Sequence, residues 1–164
     1  MINCWANKRK ERQERDHIVF TTLKRIFTSE ELYRNWGLLL LRVGIGGSMI
    51  FFHGYAKLTG GPEVWEQVGA SMGIFGIHTM PMLWGALAAM AEFFGSLLLI
   101  FGILFRPAAL GLAGTMVVAV FHHLHLPADH AAAGWAGASH ALELACVYTA
   151  LLLTGPGRFR ISRW

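Results

Sequence analysis

Four long apolar runs dominate the pattern of the chain, at approximately Gly37 to Lys57, Met82 to Phe105, Pro107 to Leu126 and Trp135 to Thr154. Each matches the roughly 20 mainly apolar residues that a helix needs to cross about 30 Å of hydrocarbon. The breaks between them have local causes. Gly60, Gly61 and Pro62 end the first run, Pro107 suits the first turn of the third helix, and Pro127 stops that helix. Gly155, Pro156 and Gly157 close the fourth. The stretch from Pro62 to Pro81 is too polar and Gly-broken to span, and predicts an outer loop with a short interfacial helix around Glu63 to Met72. The expected fold class is all-α, an integral membrane four-helix bundle. Residues 1–36 form a basic arm, 37–157 the bundle and 158–164 a basic tail.

Composition agrees with the lipid bilayer as partner. The 164 residues are 54% hydrophobic and 15% charged, and the mean hydropathy is +0.45. Eight of the 14 Lys and Arg residues crowd the first 36 positions, while Arg106, Arg158, Arg160 and Arg163 fall on the same side of the expected topology. The opposite loops carry Glu63, Glu66 and Asp129. Positive-inside bias therefore places both termini in the cytoplasm. These cations flank apolar runs without a nucleic-acid reading module around them, so nucleic acid is not an expected partner. Cys4 and Cys146 form neither a CxxC pair nor a zinc spacing. No cleavable signal precedes the first run. In the arm, Ile18, Val19, Phe20, Leu23, Ile26 and Phe27 alternate with Lys24 and Arg25, a pattern shared by a helix on the inner leaflet and by a solvated basic tail.

Ionisable residues within the spans are costly to insert and so mark paths or paired networks. Arg42, Gly46, Met49, His53 and Lys57 recur at helical spacing along one stripe of the first helix, which predicts an inward face. Glu92 lies about 13 Å and Glu143 about 12 Å from the outer boundary at 1.5 Å per residue, so the two carboxylates share a level. His140 stands a turn nearer the outside, and His122 and His125 share a face near the outer end of the third helix, with His123 pointing elsewhere. Glu92 and Glu143 are the candidate catalytic groups, exchanging protons or held ionised by Arg42 or Lys57. Arg42, His53, Lys57 and His140 are the candidate cofactor-binding groups, although for Lys57 the simpler expectation is snorkelling to the headgroups. His123 and His125 read as ordinary interfacial residues. Gly46, Gly47, Gly95, Gly111 and Gly114 read as close-packing positions.

The string LLLLRVGIGGSMIFFHGYAKLTGG from Leu38 to Gly61 resembles the first helix of the DoxX family, matching at Arg42, His53, Gly54 and Lys57. AAMAEFFGSLLLIFGILFRPAAL, from Ala88 to Leu110, is similar to the family's second helix and turn at Glu92, Gly95, Gly102 and Arg106. ALELACVYTALLLTGPGRFRIS adds the fourth-helix acid Glu143 and a closing GPGR. Ser96 stands where a second glycine is common and Phe105 where threonine is common. The group His122, His123, His125, His130 and His140 is richer than the family pattern. The resemblance implies a bacterial cytoplasmic-membrane protein associated with sulfur or thiol oxidation and oxidative stress, with quinone as electron acceptor.

Three readings follow. In the first, the bundle binds quinone near its outer half, Glu92, Glu143 and His53 or His140 handle protons, and a protein redox partner supplies electrons, since no flavin fingerprint or cysteine cluster is present. In the second, His53, His122, His140 and Glu143, with Glu92, bind copper, iron or zinc. In the third, the chain is a non-catalytic assembly subunit within a homo- or hetero-oligomer.

Overall fold

The computed structural model describes residues 13, 15, 18–21 and 30–161. The chain divides into two compact units, residues 1–35 and 36–164. In the first unit, Ile18, Val19 and Phe20 are helical and exposed. Leu23, Lys24, Arg25, Ile26 and Phe27 of the expected amphipathic pattern lie outside the described residues, as does Arg163 of the tail.

The second unit holds a helical bundle without strands among the described residues. Four helices are long and apolar enough to cross a membrane: α1 over Glu30–Thr59, α3 over Pro81–Phe101, α4 over Phe105–His125 and α5 over Gly134–Thr154. The short helix α2, Gly61–Gly69, runs into a 3₁₀ segment at Ala70–Phe75. This is a multi-pass membrane protein. Its outward faces carry side chains such as Leu40, Phe51, Phe52 and Leu153, each about three-quarters exposed, which suits hydrocarbon rather than water. The boundaries follow the breakers. Gly61 is left-handed at φ 75°, Leu126 before Pro127 is extended, and Gly155 ends α5 at φ 78°. α1 begins seven residues before the expected Gly37, because the polar segment from Glu30 continues the helix.

Two π-helical turns bend the picture drawn from regular spacing. One occupies Ile50–Gly54 in α1 and the other Ala91–Gly95 in α3, and they cross each other. The crossing is backbone against backbone, since a Cβ on Gly54 would stand 2.9 Å from both Cα and N of Phe93. Lower down, Gly46 meets the Ser96 carbonyl in the same way, with its would-be Cβ at 3.2 Å. Along the stripe of α1, Arg42, Gly46 and Met49 are buried as expected. After the π turn Gly54 takes the inner position, and His53 is only half-buried.

α2 folds across one end of the bundle, called here the α2 end. Its Gly69 and the Gly85 of α3 let the two backbones touch, because a side chain at Gly69 would collide with the Pro81 carbonyl and one at Gly85 with the Trp65 carbonyl. The indole Nε1 of Trp65 donates to Lys57 O at 2.8 Å. α4 and α5 pack along their length around Leu112, Ala113, Met116, Ala145, Tyr148 and Leu151, joined by Met49 and Leu99. At the other, terminal end, the residues after Gly155 fold back instead of trailing as a tail. Arg42 Nη1 donates to Pro156 O at 2.8 Å and Nη2 to Phe159 O, Ile161 N donates to Phe101 O at 3.1 Å, and the Trp36 and Phe159 rings stand 4.8 Å apart.

The glycine contacts separate two classes of position. Gly54→Ala should lower the thermal stability of the detergent-solubilised protein by about 1–3 kcal/mol, because the backbone of α3 cannot yield to the methyl group. Gly114→Ala, where nothing lies within 4 Å of the new Cβ, should be neutral or slightly stabilising. Equal losses at both sites would contradict the backbone crossing.

Candidate functional site

Glu92 sits in the π turn of α3, about 16 Å along the helix from Pro81 at 1.5 Å per residue. It is 2% exposed, and its Oε1 receives Lys57 Nζ at 2.5 Å. A carboxylate at this depth is tolerated only when paired, and Lys57 reaches it from α1 just beyond the other π turn. This corrects the expectation of snorkelling and decides between the two cations expected for the carboxylate. Lys57 does not snorkel to the headgroups, and Arg42 is not the partner of Glu92, since its guanidinium is spent on the carbonyls of Pro156 and Phe159. The reason is axial position: Lys57 lies level with Glu92 across the crossing, whereas Arg42 stands four turns nearer the terminal end.

The other oxygen of the carboxylate, Oε2, has no partner among the described protein groups, and neither have the buried hydroxyls of Ser96 and Tyr148. Ser96 follows Glu92 by one turn, and Tyr148 of α5 lies within Coulombic reach of it. His53 is within the same reach of Glu92, Lys57 and His140, and the His53 and His140 rings are 5.9 Å apart. Glu92 is thus paired with Lys57, with His53 and Tyr148 within Coulombic reach, and His140 stands beside His53.

A cavity of about 870 Å³ opens beside this pair, between α3 and α4 and beneath α2. Lys57 and Glu92 form one part of its wall. Near the α2 end its wall carries Ser71 and His122, hydrogen-bonded Oγ to Nδ1 at 3.1 Å, with His123 beside them. Between these polar spots the lining is apolar and small, including Ala88, Ala91, Gly111 and Gly114, with Trp84 and Leu87. Gly111 and Gly114 were expected to bring helices together. They instead keep the cavity open, since nothing lies within 4 Å of a Cβ at Gly114 and only Ala91 Cβ, at 3.8 Å, lies near one at Gly111. His123 also has a more definite place than an interfacial residue: its Nδ1 donates to Ala132 O at 2.8 Å while the ring borders the cavity. A half-open, mainly apolar space with two polar places on its wall suits a flat, apolar ligand carrying more than one oxygen.

Glu143 does not join this arrangement. It is exposed on the outward face of α5, so the level it shares with Glu92 is not a shared site. The residues weighed as metal ligands are divided as well. His53 and His140 meet at one corner, His122 belongs to the cavity, and Glu143 faces out. No three His, Cys, Asp or Glu among the described residues converge to hold a metal ion.

The sequence model of the DoxX family matches residues 37–125, more than half of the chain. The chain belongs to the DoxX family. No curated protein matches it, and no solved structure does. The family match takes in α2, α3, α4 and nearly all of the membrane-crossing part of α1, so Lys57, Glu92 and both polar ends of the cavity fall inside it. α5, with Tyr148, His140 and Glu143, lies beyond the matched residues. Within this DoxX protein the arginine and the HGxxK element of α1 do different work: Arg42 clasps the terminal end, while Gly54 and Lys57 create the crossing and the ion pair.

Sequence reasoning missed Ser71, Trp84 and Tyr148. Tyr148 was legible as a hydroxyl on the face of α5 that repeats Ala141, Ala145 and Leu151. Ser71 and Trp84 gave no such signal, because only the fold of α2 over α3 brings them to one space.

Removing one member of the ion pair should expose its energetic role. Lys57→Met should destabilise the protein by about 3 kcal/mol, leaving a buried carboxylate unpaired. The double variant Lys57→Met, Glu92→Leu should regain most of that loss, so that a double-mutant cycle in detergent yields a strong favourable coupling. Additive losses would show that the two residues are independent.

Proposed function

We propose that this DoxX protein binds a membrane quinone in the α3–α4 cavity, as a redox-associated subunit of the bacterial cytoplasmic membrane with both termini cytoplasmic. The observation that carries the reading is the cavity itself: an apolar slot near the α2 end with the Lys57–Glu92 pair at one place and Ser71–His122 at another. Lys57 and His122 are suited to donate to the two carbonyl oxygens, and the small residues leave room for the ring. Orientation rests on the basic residues at the terminal end, Arg106, Arg158 and Arg160.

Quinone reduction to quinol takes two electrons and two protons. The electrons come from a protein partner, because the chain has no carrier motif of its own. The protons come through groups in the wall. Lys57 gives one proton at the first carbonyl and His122 the second at the other, and Glu92, paired with Lys57, relays a proton to the neutral amine to restore it. His53 lies within Coulombic reach of Glu92 and Lys57.

One observation favours a second reading, an assembly subunit. The outward carboxylate of Glu143 in the middle of α5 is best accommodated by a cation or donor on a partner helix. The two readings predict opposite effects for the two acids.

Trp84 lines the cavity and serves as the probe. Titration of detergent-solubilised protein with a short-chain quinone should quench tryptophan emission, and Trp84→Phe should remove most of the quenched component. Gly114→Leu, which fills the slot, should abolish binding. Glu92→Gln should weaken it by about tenfold, the scale of one charge-assisted contact, while Glu143→Gln should leave it unchanged. Undiminished quenching in the Gly114→Leu protein would refute the quinone site. A partner complex lost in Glu143→Gln, with no quinone bound to the wild type, would favour assembly.

A further inference from the structure

A second cavity, of about 590 Å³, lies at the terminal end of the bundle, remote from the quinone slot. Its walls are the turn between α3 and α4, with Gly102, Arg106 and Pro107, and the folded-back segment, with Pro156, Gly157 and Arg160. We propose that it binds a phosphate oxyanion.

Three features converge on that ligand. The first is the pair of cations. Arg106 and Arg160 come from segments more than 50 residues apart and line the same space. Neither has a carboxylate partner among the described residues, and no Asp or Glu borders the cavity. Guanidinium groups match phosphate oxygens in a two-pronged geometry.

The second feature is the start of α4, a helix of 21 residues. Ala108 N donates to Leu104 O, closing the first turn, so the amides of Phe105 and Arg106 precede the ladder and lack helical acceptors. Both residues line the cavity. The positive end of the helix dipole adds to the two side-chain charges.

The third feature is Arg42, which lies just behind the cavity wall. It is fully buried, its Nε has no partner, and only two carbonyl oxygens accept from it. One of those carbonyls belongs to Pro156, a wall residue. Another wall residue, Gly102, would bring a Cβ within 3.1 Å of Arg42 Nη1. The Arg42 carbon Cζ also stands 5.9 Å from the centre of the Phe105 ring on the same wall. Carbonyl dipoles solvate this guanidinium without cancelling its charge, so an anion in the adjoining cavity would be stabilised by it. The position suits a lipid headgroup, because the cavity sits where spanning helices end and Leu104 beside it is exposed. A free phosphate ion would satisfy the same donors.

The test uses the full chain in a neutral detergent and reads its thermal unfolding midpoint with added dioleoyl-phosphatidylglycerol, dioleoyl-phosphatidylcholine or inorganic phosphate. The anionic lipid should raise the midpoint by several degrees more than the zwitterionic lipid, and the difference should vanish in the charge-removing variant Arg106→Gln, Arg160→Gln. A rise with inorganic phosphate alone, lost in the same variant, would assign the site to the free ion. If that variant does not fold, the wild type decides: about 0.5 M salt, which shortens the screening length to a few ångströms, should suppress the gain. No gain from either anion, a gain that survives the substitutions, or one indifferent to salt would overturn the proposal.

Discussion

A carboxylate placed in the middle of a hydrocarbon slab forces its surroundings to answer for it, and much of this bundle can be understood as the answer to Glu92. Its charge in low dielectric is stable only beside a cation, so α1 must bring Lys57 to within hydrogen-bonding distance. For that, α1 and α3 must run backbone against backbone, which requires Gly54 and Gly46 on one side and the wound-out turn around Glu92 on the other. On its other side α3 packs on α4 at Gly95, where a side chain would meet Leu112 at 3.5 Å, and only nearer the α2 end do small residues such as Ala91, Gly111 and Gly114 line open space.

Much of this architecture was legible as pattern. The spans announced themselves through length and through Pro and Gly at their ends, because satisfying backbone groups in lipid leaves the chain few alternatives to a helix. The short helix around Glu63 to Met72 was legible for the same reason. Depth was legible too, since 1.5 Å per residue fixes how far Glu92 and Glu143 lie from a boundary. What depth cannot give is direction around the helix axis, and that separates Glu92, facing in, from Glu143, facing out. The π turns compound the difficulty. Nothing in IFFHG or AEFFG departs from ordinary helical composition, yet each turn shifts the register of every position after it. His53 lost the inner place to Gly54 on that account. For Lys57 the stripe pointed inward correctly, and the expectation of snorkelling failed because nearness to a helix end was weighed above the pull of a buried carboxylate. Gly111 and Gly114 show a further ambiguity: an absent side chain serves close contact and open space equally well, and only the neighbouring helix decides between them.

The two ends of the bundle are built on contrasting principles. At the α2 end, polar groups are held by other side chains, as in the Lys57–Glu92 and Ser71–His122 pairs, and they border a large apolar space. At the terminal end, the charge of Arg42 is held by main-chain carbonyls, and the segment supplying them is the last part of the described chain. Residues 155–161 are thus part of the packed structure. They close the bundle by tying α1, α3 and α5 together at a single buried guanidinium.

The crossed π turns carry an implication for how such a sequence can vary in length. Each turn holds one residue more than a regular α-helix needs to cover the same rise. Deleting a single residue between Ile50 and Gly54 would leave a smoother helix with the same apolar character and enough length to span. Because the wider turn absorbs its extra residue, such a deletion would leave everything beyond it, Lys57 and Trp65 included, near its present place. The same deletion in the regular helix between Arg42 and Met49 would turn the Arg42 clasp and the Lys57 ion pair apart by about 100° around the axis. A one-codon deletion is therefore far less damaging within the wide turn than one or two helical turns before it, where no surplus residue absorbs the change.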